Sequence, residues 1–482
     1  MRFTEDIAGL RALGTVGSVA VAVGGYAAGA LPWRSAGPVP GLGHLSRYPS
    51  AGVACVYFGL VLLVAAWWRL LRRMRTDPAV GTRGLLVTFA AWAVPLAVAP
   101  PLFSRDVYSY LAQGTMAGAG ADVYHAGAAS LGGGLSLEVP AVWQHTPCPY
   151  GPVFLVLAVA VVAVTKANVV AGILALRLVA LAAVGLIVAV LPGLARRCGV
   201  DPGSALALGV LNPLVLLHLV AGAHNDAVML ALLCAGLAAT ARRWVVPGAA
   251  LVTVAALVKA PAGLGLLAVV ELCAARTGNR TRAALTTVAV AAATTAGVTS
   301  LAGTGYGWIG ALGTPVSAHS WSVSGMLGRA TGAVLDLVDS DLARLAVPGW
   351  MWLCGCAAVA IVAVVWWHGR RLGAVYALGL SLSAVALLGP ATRPWYALWG
   401  LLPVAAAAPR GLLRRAATIT SGVLALMVLP DGVWPTLGEI ELAVQGGLLA
   451  LVVLWYLGHG FAPATWNVPR APRLDHPVRQ PG

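Results

Sequence analysis

Charge is what this sequence has least of: 10% of its 482 residues are Asp, Glu, Lys or Arg, whereas 59% are hydrophobic. Soluble domains carry about 25% charged residues, so an ordinary water-soluble globule is excluded. Acid is scarcer than base, with 16 Asp and Glu against 31 Lys and Arg, and Lys166 and Lys259 are the only lysines. The seven cysteines are scattered, mostly in apolar runs, and none has metal-ligand spacing with a histidine. Neither a disulfide framework nor a zinc site is supported. There is no Asp-x-Asp or paired acid at 104 to 110, no internal repeat and no extended low-complexity segment. The Pro-rich tail after Trp466 reads as disordered.

What is present is a series of long, non-alternating apolar runs. Backbone groups in hydrocarbon must bond within the segment or in a closed barrel, and unalternating runs select helices. The expected fold is an all-α membrane protein, a polytopic helical bundle of about 13 to 14 transmembrane helices, since each span takes ~20 apolar residues. The expected spans are about 8 to 31, 51 to 70, 84 to 102, 170 to 192, 203 to 221, 225 to 241, 245 to 258, 261 to 275, 283 to 301, 346 to 367, 372 to 388, 395 to 409, 412 to 430 and 438 to 458. The first follows Glu5 and Asp6 and is longer and less basic at its start than a cleavable signal.

The net charge of +15 does not indicate nucleic acid, because the arginines fall in small groups between spans. Arg69/72/73/75/83, Arg196/197, Arg242/243, Arg276/280/282, Arg370/371 and Arg410/414/415 all land on one side. The positive-inside rule makes that side cytoplasmic and puts both termini there. This requires 152 to 167 to be interfacial or re-entrant, and Lys259-Ala-Pro261 to break two short arms of a hairpin. The other face then receives the loop 103 to 151, His224-Asn-Asp226, the loop 302 to 345, the turn 389 to 396, and Asp431.

Rare polar residues at that face are the candidates for chemistry, because a charge at bilayer depth costs about 2.5 to 3.5 kcal/mol unless it meets a cavity or partner. Ser104 is placed to cap a helix beginning at Arg105, setting Asp106 in the first turn near the positive end of the dipole. Asp106 then either stabilises that helix start or serves as general base toward a sugar hydroxyl. Arg105 would pair a phosphate. Tyr108, Asp122, Tyr124, His145 and Tyr150 supply aromatic, acidic and imidazole groups in the same loop, as sugar binding requires, although interfacial belts use aromatics too. His224, Asn225 and Asp226 form either a tight polar turn or part of a site. Lys259 between apolar arms needs a partner such as phosphate. Arg393 is a basic residue in a short external turn beside Trp395 and Tyr396, where the positive-inside rule predicts none, which marks it as an anion ligand.

The strings Phe103-Ser-Arg-Asp-Val-Tyr-Ser-Tyr110, Asp122-Val-Tyr124, Thr146-Pro-Cys-Pro-Tyr-Gly-Pro152, Leu211-Asn-Pro213, Gly222-Ala-His-Asn-Asp226, Val258-Lys-Ala-Pro261 and Pro394-Trp-Tyr396 together resemble the actinobacterial polyprenol-phosphomannose-dependent α-1,6-mannosyltransferases. These are integral-membrane glycosyltransferases of the GT-C type. The resemblance runs from about residue 85 to 430. It implies one GT-C-like domain over 1 to 465, with an external catalytic loop at about 103 to 151 and a cytoplasmic tail over 466 to 482. It also implies a plasma-membrane enzyme with its active site on the extracytoplasmic side, a polyprenyl-phosphate mannose donor, and a lipid-anchored oligomannoside acceptor of lipomannan type. The linkage would form with inversion, Asp106 would act as base, and Arg393, Lys259 and Arg105 would face the departing lipid phosphate. No cofactor is expected, and the reaction is expected to be metal-independent. Members tend to have Asp-Pro-Tyr where this chain has Asp122-Val-Tyr124, and His before Pro-Trp-Tyr where it has Arg393. The rival readings are a lipid or polysaccharide transporter, a noncatalytic envelope scaffold, and a transferase using another polyprenyl-phosphate sugar.

Overall fold

The computed structural model describes residues 6–32, 44–76, 80–314, 322–338 and 340–459. All regular structure among them is helical, as a chain that must bond its backbone within each segment requires. The expected tail after Trp466 lies outside these residues.

Helix α1 (Ile7–Ala28) and α2 (Pro49–Thr76) form the first antiparallel pair, followed by α3 (Thr82–Val98). Small residues let α1 and α2 approach closely: a side chain on Gly17 would meet the Gly59 carbonyl oxygen at 2.7 Å. Next come α4 (Asp106–Gly118) and α5 (Pro152–Thr165), packed on each other, then the long α6 (Val169–Arg197). At 14 residues, α5 reaches ~21 Å and falls short of the ~30 Å hydrocarbon core.

The expected span at 203 to 221 is not one helix. It divides into α7 (Pro202–Gly209) and a π-helical turn Val215–Ala221, because Asn212-Pro213 interrupts the ladder. Asn212 satisfies the break itself: its amide donates to Leu208 O (3.1 Å) and Ser421 Oγ (2.9 Å), and its side-chain oxygen accepts from Leu214 N (2.9 Å). The π turn meets α8 (Asp226–Ala241) at 110°, through Ala223 at φ +49°. Beyond lie α9 (Val245–Ala256), the 3₁₀ turn Ala260–Leu264 and α10 (Gly265–Thr277), so the chain does break at Lys259-Ala-Pro261. The longer helices that follow are α11 (Arg280–Ala302), α12 (Val323–Asp336), α13 (Ala343–Trp367), α14 (Ala374–Leu388), α15 (Ala397–Ala407), α16 (Leu412–Ala425) and α17 (Leu437–His459).

Seven described segments are long and apolar enough to cross a membrane alone, eight if the bent pair is one span, with four shorter apolar helices beside them. The 13 to 14 expected spans take in these shorter and broken helices as well. Two of the expected spans, α8 and α15, are almost wholly buried among other helices.

Broken helices expose carbonyls that water cannot reach, and Arg177 in the middle of α6 collects them. Its guanidinium donates to the carbonyls of Ala97 (3.1 Å), Ala99, Pro100 (3.3 Å) and Ala221 (2.7 Å), tying the end of α3 to the π turn. At the other end of the bundle, Arg276 donates to Thr240 O (2.8 Å) and Ala241 O (2.6 Å), and Arg197 to Ala241 O (3.2 Å). One end of the molecule is therefore basic, and the polar loops gather at the opposite end.

Candidate active site

The last turn of α3 leads into Ala99 to Arg105, where Phe103 adopts φ +64° and donates its N–H to Pro430 O at 2.7 Å. Gly432, at φ +77°, lies so close that a side chain there would meet Ser104 Cα at 2.7 Å. This clamp sets the start of α4. Ser104 Oγ accepts the Asp106 N–H at 3.0 Å, and the helix begins at Asp106, one residue later than expected.

That start turns neighbouring residues in opposite directions. Arg105 is buried and donates to the Glu138 carboxylate (2.8 Å), Glu138 O (3.2 Å) and Leu31 O (2.9 Å), with its guanidinium 4.7 Å over the Tyr108 ring. Tyr108 donates its hydroxyl to Ala30 O at 2.7 Å. Both side chains hold the wall together. Arg105, already held by Glu138, also borders the cavity that Asp106 faces, whereas Tyr108 is fully buried and lines no part of it.

Asp106 faces a cavity, with its side chain 20% exposed and Oδ2 3.3 Å from Nδ1 of the fully buried His224. Burial raises its pKa, but the His224 hydrogen bond, the His224 charge and the cations Arg393 and Lys259 outweigh it. The carboxyl is held well below its ordinary range, at about 2. The His224 ring stacks on Trp395 at 3.9 Å between centroids, and the Tyr110 hydroxyl lies 3.5 Å from its Nδ1. Tyr110 also donates to Asn225 Oδ1 at 3.4 Å.

A second cluster adjoins the first. Asp226, fully buried in the first turn of α8, accepts from Lys259 Nζ (2.9 and 3.1 Å) and Trp399 Nε1 (2.6 Å). Lys259 Nζ sits 4.5 Å over the Tyr396 ring, which stacks on Trp399 at 4.1 Å. Lys259 thus has the partner its place between apolar arms requires, supplied within the protein by Asp226.

Two chambers meet at Asp106. A cavity of about 490 Å³ is walled largely by apolar groups, including Phe103, Trp143, Val428, Val433 and Trp434. A smaller one of about 140 Å³ is lined by Ser109, Gln113, Thr146, Tyr150, Lys259 and Tyr396 among others. Asp106, Trp143, Arg393 and Trp395 line both. Among the described residues, the Arg393 guanidinium has no hydrogen-bond or ion-pair partner, so its cation is available to whatever enters.

Other expected residues fall elsewhere. Asp122 pairs with His125 at 2.7 Å on the surface, their side chains 63% and 80% exposed. His145 is exposed and lines neither chamber. Tyr124 is buried behind the wall, donating to Tyr150 O at 3.1 Å. Sequence reasoning missed Trp399 and Glu138 as parts of the site or its frame, whereas Tyr110 and Trp143 lay within the strings and the loop it singled out. Trp395, Tyr396 and Trp399 share one face of a helix start by their spacing of three and four, and that signal was readable.

Fold and site together define a polytopic helical membrane protein whose bundle holds two adjoining chambers at a single end, both lined by Asp106 and Arg393. Residues 11–276 match the family model described as "Alpha-(1->6)-mannopyranosyltransferase, N-terminal domain", and residues 321–459 match the "MptB C-terminal domain". A probable alpha-(1->6)-mannopyranosyltransferase of Mycolicibacterium smegmatis is 35% identical over 97% of this chain and 92% of its own. Alpha-(1->6)-mannopyranosyltransferases of Mycobacterium tuberculosis (34% identical; 87% of this chain, 82% of that one) and Corynebacterium glutamicum (31%; 96% and 82%) are also similar. The chain belongs to the alpha-(1->6)-mannopyranosyltransferase family, and so to the glycosyltransferases that move mannosyl groups. No solved structure matches it.

Proposed function

We propose that the protein transfers mannose from polyprenyl-phosphate mannose to a lipid-anchored oligomannoside of lipomannan type, forming an α-1,6 bond with inversion, and that Asp106 is the general base. The observation that carries this reading is the Asp106 carboxylate, 3.3 Å from His224, at the junction of two chambers that both include Arg393.

The acceptor hydroxyl oxygen attacks the anomeric carbon while the bond from that carbon to the phosphate oxygen breaks. Asp106 takes the hydroxyl proton, and the electron pair leaves with the polyprenyl phosphate. Arg393 meets the charge that grows on this leaving group, where a fixed cation lowers the barrier most. His224 acts through Asp106 as a positioning residue, holding one carboxylate oxygen so that the other faces the acceptor. Lys259 adds positive potential, although it is paired to Asp226, and the Tyr150, Trp395 and Tyr396 rings offer faces for sugar C–H groups.

The cations already on these walls favour a metal-independent reaction, and excess chelator should leave transfer intact. The basic end of the bundle, with Arg73, Arg75, Arg196, Arg197 and Arg276 in last helical turns, supports a cytoplasmic assignment for that end. The site would then face outward across the plasma membrane, with both termini inside.

The test is purified protein supplied with radiolabelled polyprenyl-phosphate mannose and a short α-1,6-mannoside. Transfer of label into an α-1,6 product supports the reading. Transport without transfer, or turnover only with another polyprenyl-phosphate sugar, rejects the activity or the donor respectively.

A further inference from the structure

At the end of the bundle remote from Asp106 lies a cavity of about 280 Å³ between the ends of α2, α7 and α16. Its location follows from α2, whose first residue, Pro49, shares a pocket with Arg105 and whose last turn carries Arg75. Four arginines line it, Arg75, Arg410, Arg414 and Arg415, together with Ser204 and the apolar side chains of Leu71 and Met74.

Arg414 is structural. Buried, it donates to Ala405 O (3.1 Å), Ala408 O (3.3 Å), Ser204 O (3.1 Å) and Ser204 Oγ (2.8 Å), joining α7 to the link between α15 and α16. Arg75, Arg410 and Arg415 are exposed, and no acidic side chain pairs with them among the described residues. The acidic group that acts on the cluster, Asp201, already caps α7 through Ser204 N at 2.6 Å. Like charges held around one cavity repel one another unless an anion joins them. The start of α16 also opens here: Gly411 precedes it with no side-chain cap, so the positive end of a 14-residue helix adds to the same field.

We propose that this pocket binds a phosphate-type anion, with the arginine forks on its oxygens and Leu71 and Met74 against whatever apolar part it carries. A lipid headgroup and a soluble phosphate share this chemistry. Arginines that serve only to orient the chain in the membrane need no cavity, no apolar wall and no helix terminus.

The test is carried out on the full chain, on the face away from the active site. Wild type and the Arg75→Ala/Arg410→Ala/Arg415→Ala variant are placed in nanodiscs of phosphatidylcholine with or without phosphatidylglycerol. Lipid carried through gentle detergent extraction is weighed by native mass spectrometry, and inorganic phosphate is titrated against thermal unfolding in detergent. Wild type should retain phosphatidylglycerol, and the triple variant should hold it about 100-fold more weakly. Stabilisation by inorganic phosphate alone, lost in the variant, assigns the pocket to a soluble anion. Should the triple variant fail to insert, Arg410→Ala and Arg415→Ala carry the test separately at about 5-fold each. Wild type that binds neither probe, or variants that bind as wild type does, overturn the proposal.

Discussion

Arg105 and Asp106 are neighbours in the chain and opposites in the structure. Arg105 is enclosed with Glu138, its side chain 4% exposed and that of Glu138 fully buried, and its donors end on protein atoms. Asp106 stands at a cavity with one oxygen toward His224. The lesson is that charge at a membrane edge does not by itself mark chemistry. A charge whose partners are all protein atoms builds the wall, whereas one that keeps an open side can act on a ligand.

Substitutions can break this contrast. Asp106→Asn keeps shape and hydrogen bonding but removes the base, so transfer should fall about 100- to 10,000-fold with donor binding preserved. Rates from radiolabelled donor, set beside donor retention, check it. Arg105→Ala leaves Glu138 charged and buried, a change of about 3–5 kcal/mol, and should appear as lost folded protein in thermal unfolding rather than as a changed rate in what survives. If Arg105→Ala folds normally and is merely slow, the division between wall and site fails.

Arg393→Gln tests the open cation. Turnover should drop about 10- to 100-fold, with donors of a better phosphate leaving group suffering less, while the melting temperature stays put because no protein partner is lost. The smallest effect is on pH. Asp106 has its carboxyl lowered to about 2, with the His224 hydrogen bond and charge opposing burial. His224→Asn weakens those lowering influences, so the carboxyl should rise and the acid limb of kcat/KM should move to higher pH, with activity lost earlier as pH falls. An unmoved acid limb would separate His224 from Asp106.

Much of the site was legible because polar residues are rare here. Asp106, Lys259, Arg393, Trp395 and Tyr396 stood out against Ala, Val and Leu, and the structure brings them to one pair of chambers. Asp122 and His145 stood out equally and lie at the surface, since composition cannot tell a loop that folds over a cavity from one that faces water. Trp399 was hidden in an apolar run, where only its bond to Asp226 distinguishes it from packing. Glu138 was hidden too, because its partner lies 33 positions away.

By itself, the sequence determined the solvent and the element type: scarce charge and unbroken apolar runs leave helices in a bilayer, and arginine placement separates the two ends. It also determined the break at Lys259-Ala-Pro261, whereas the break at Asn212-Pro213 did not stand out, since Pro95, Pro192, Pro348 and Pro403 all lie within continuous helices. Only tertiary structure decided which polar groups meet. Lys259 pairs with Asp226 at the wall of the smaller chamber, and Arg105 with Glu138, because helix packing brings distant positions together and a buried ion takes the nearest opposite charge. Which charges stay open follows from that pairing, and no single position in the chain carries it.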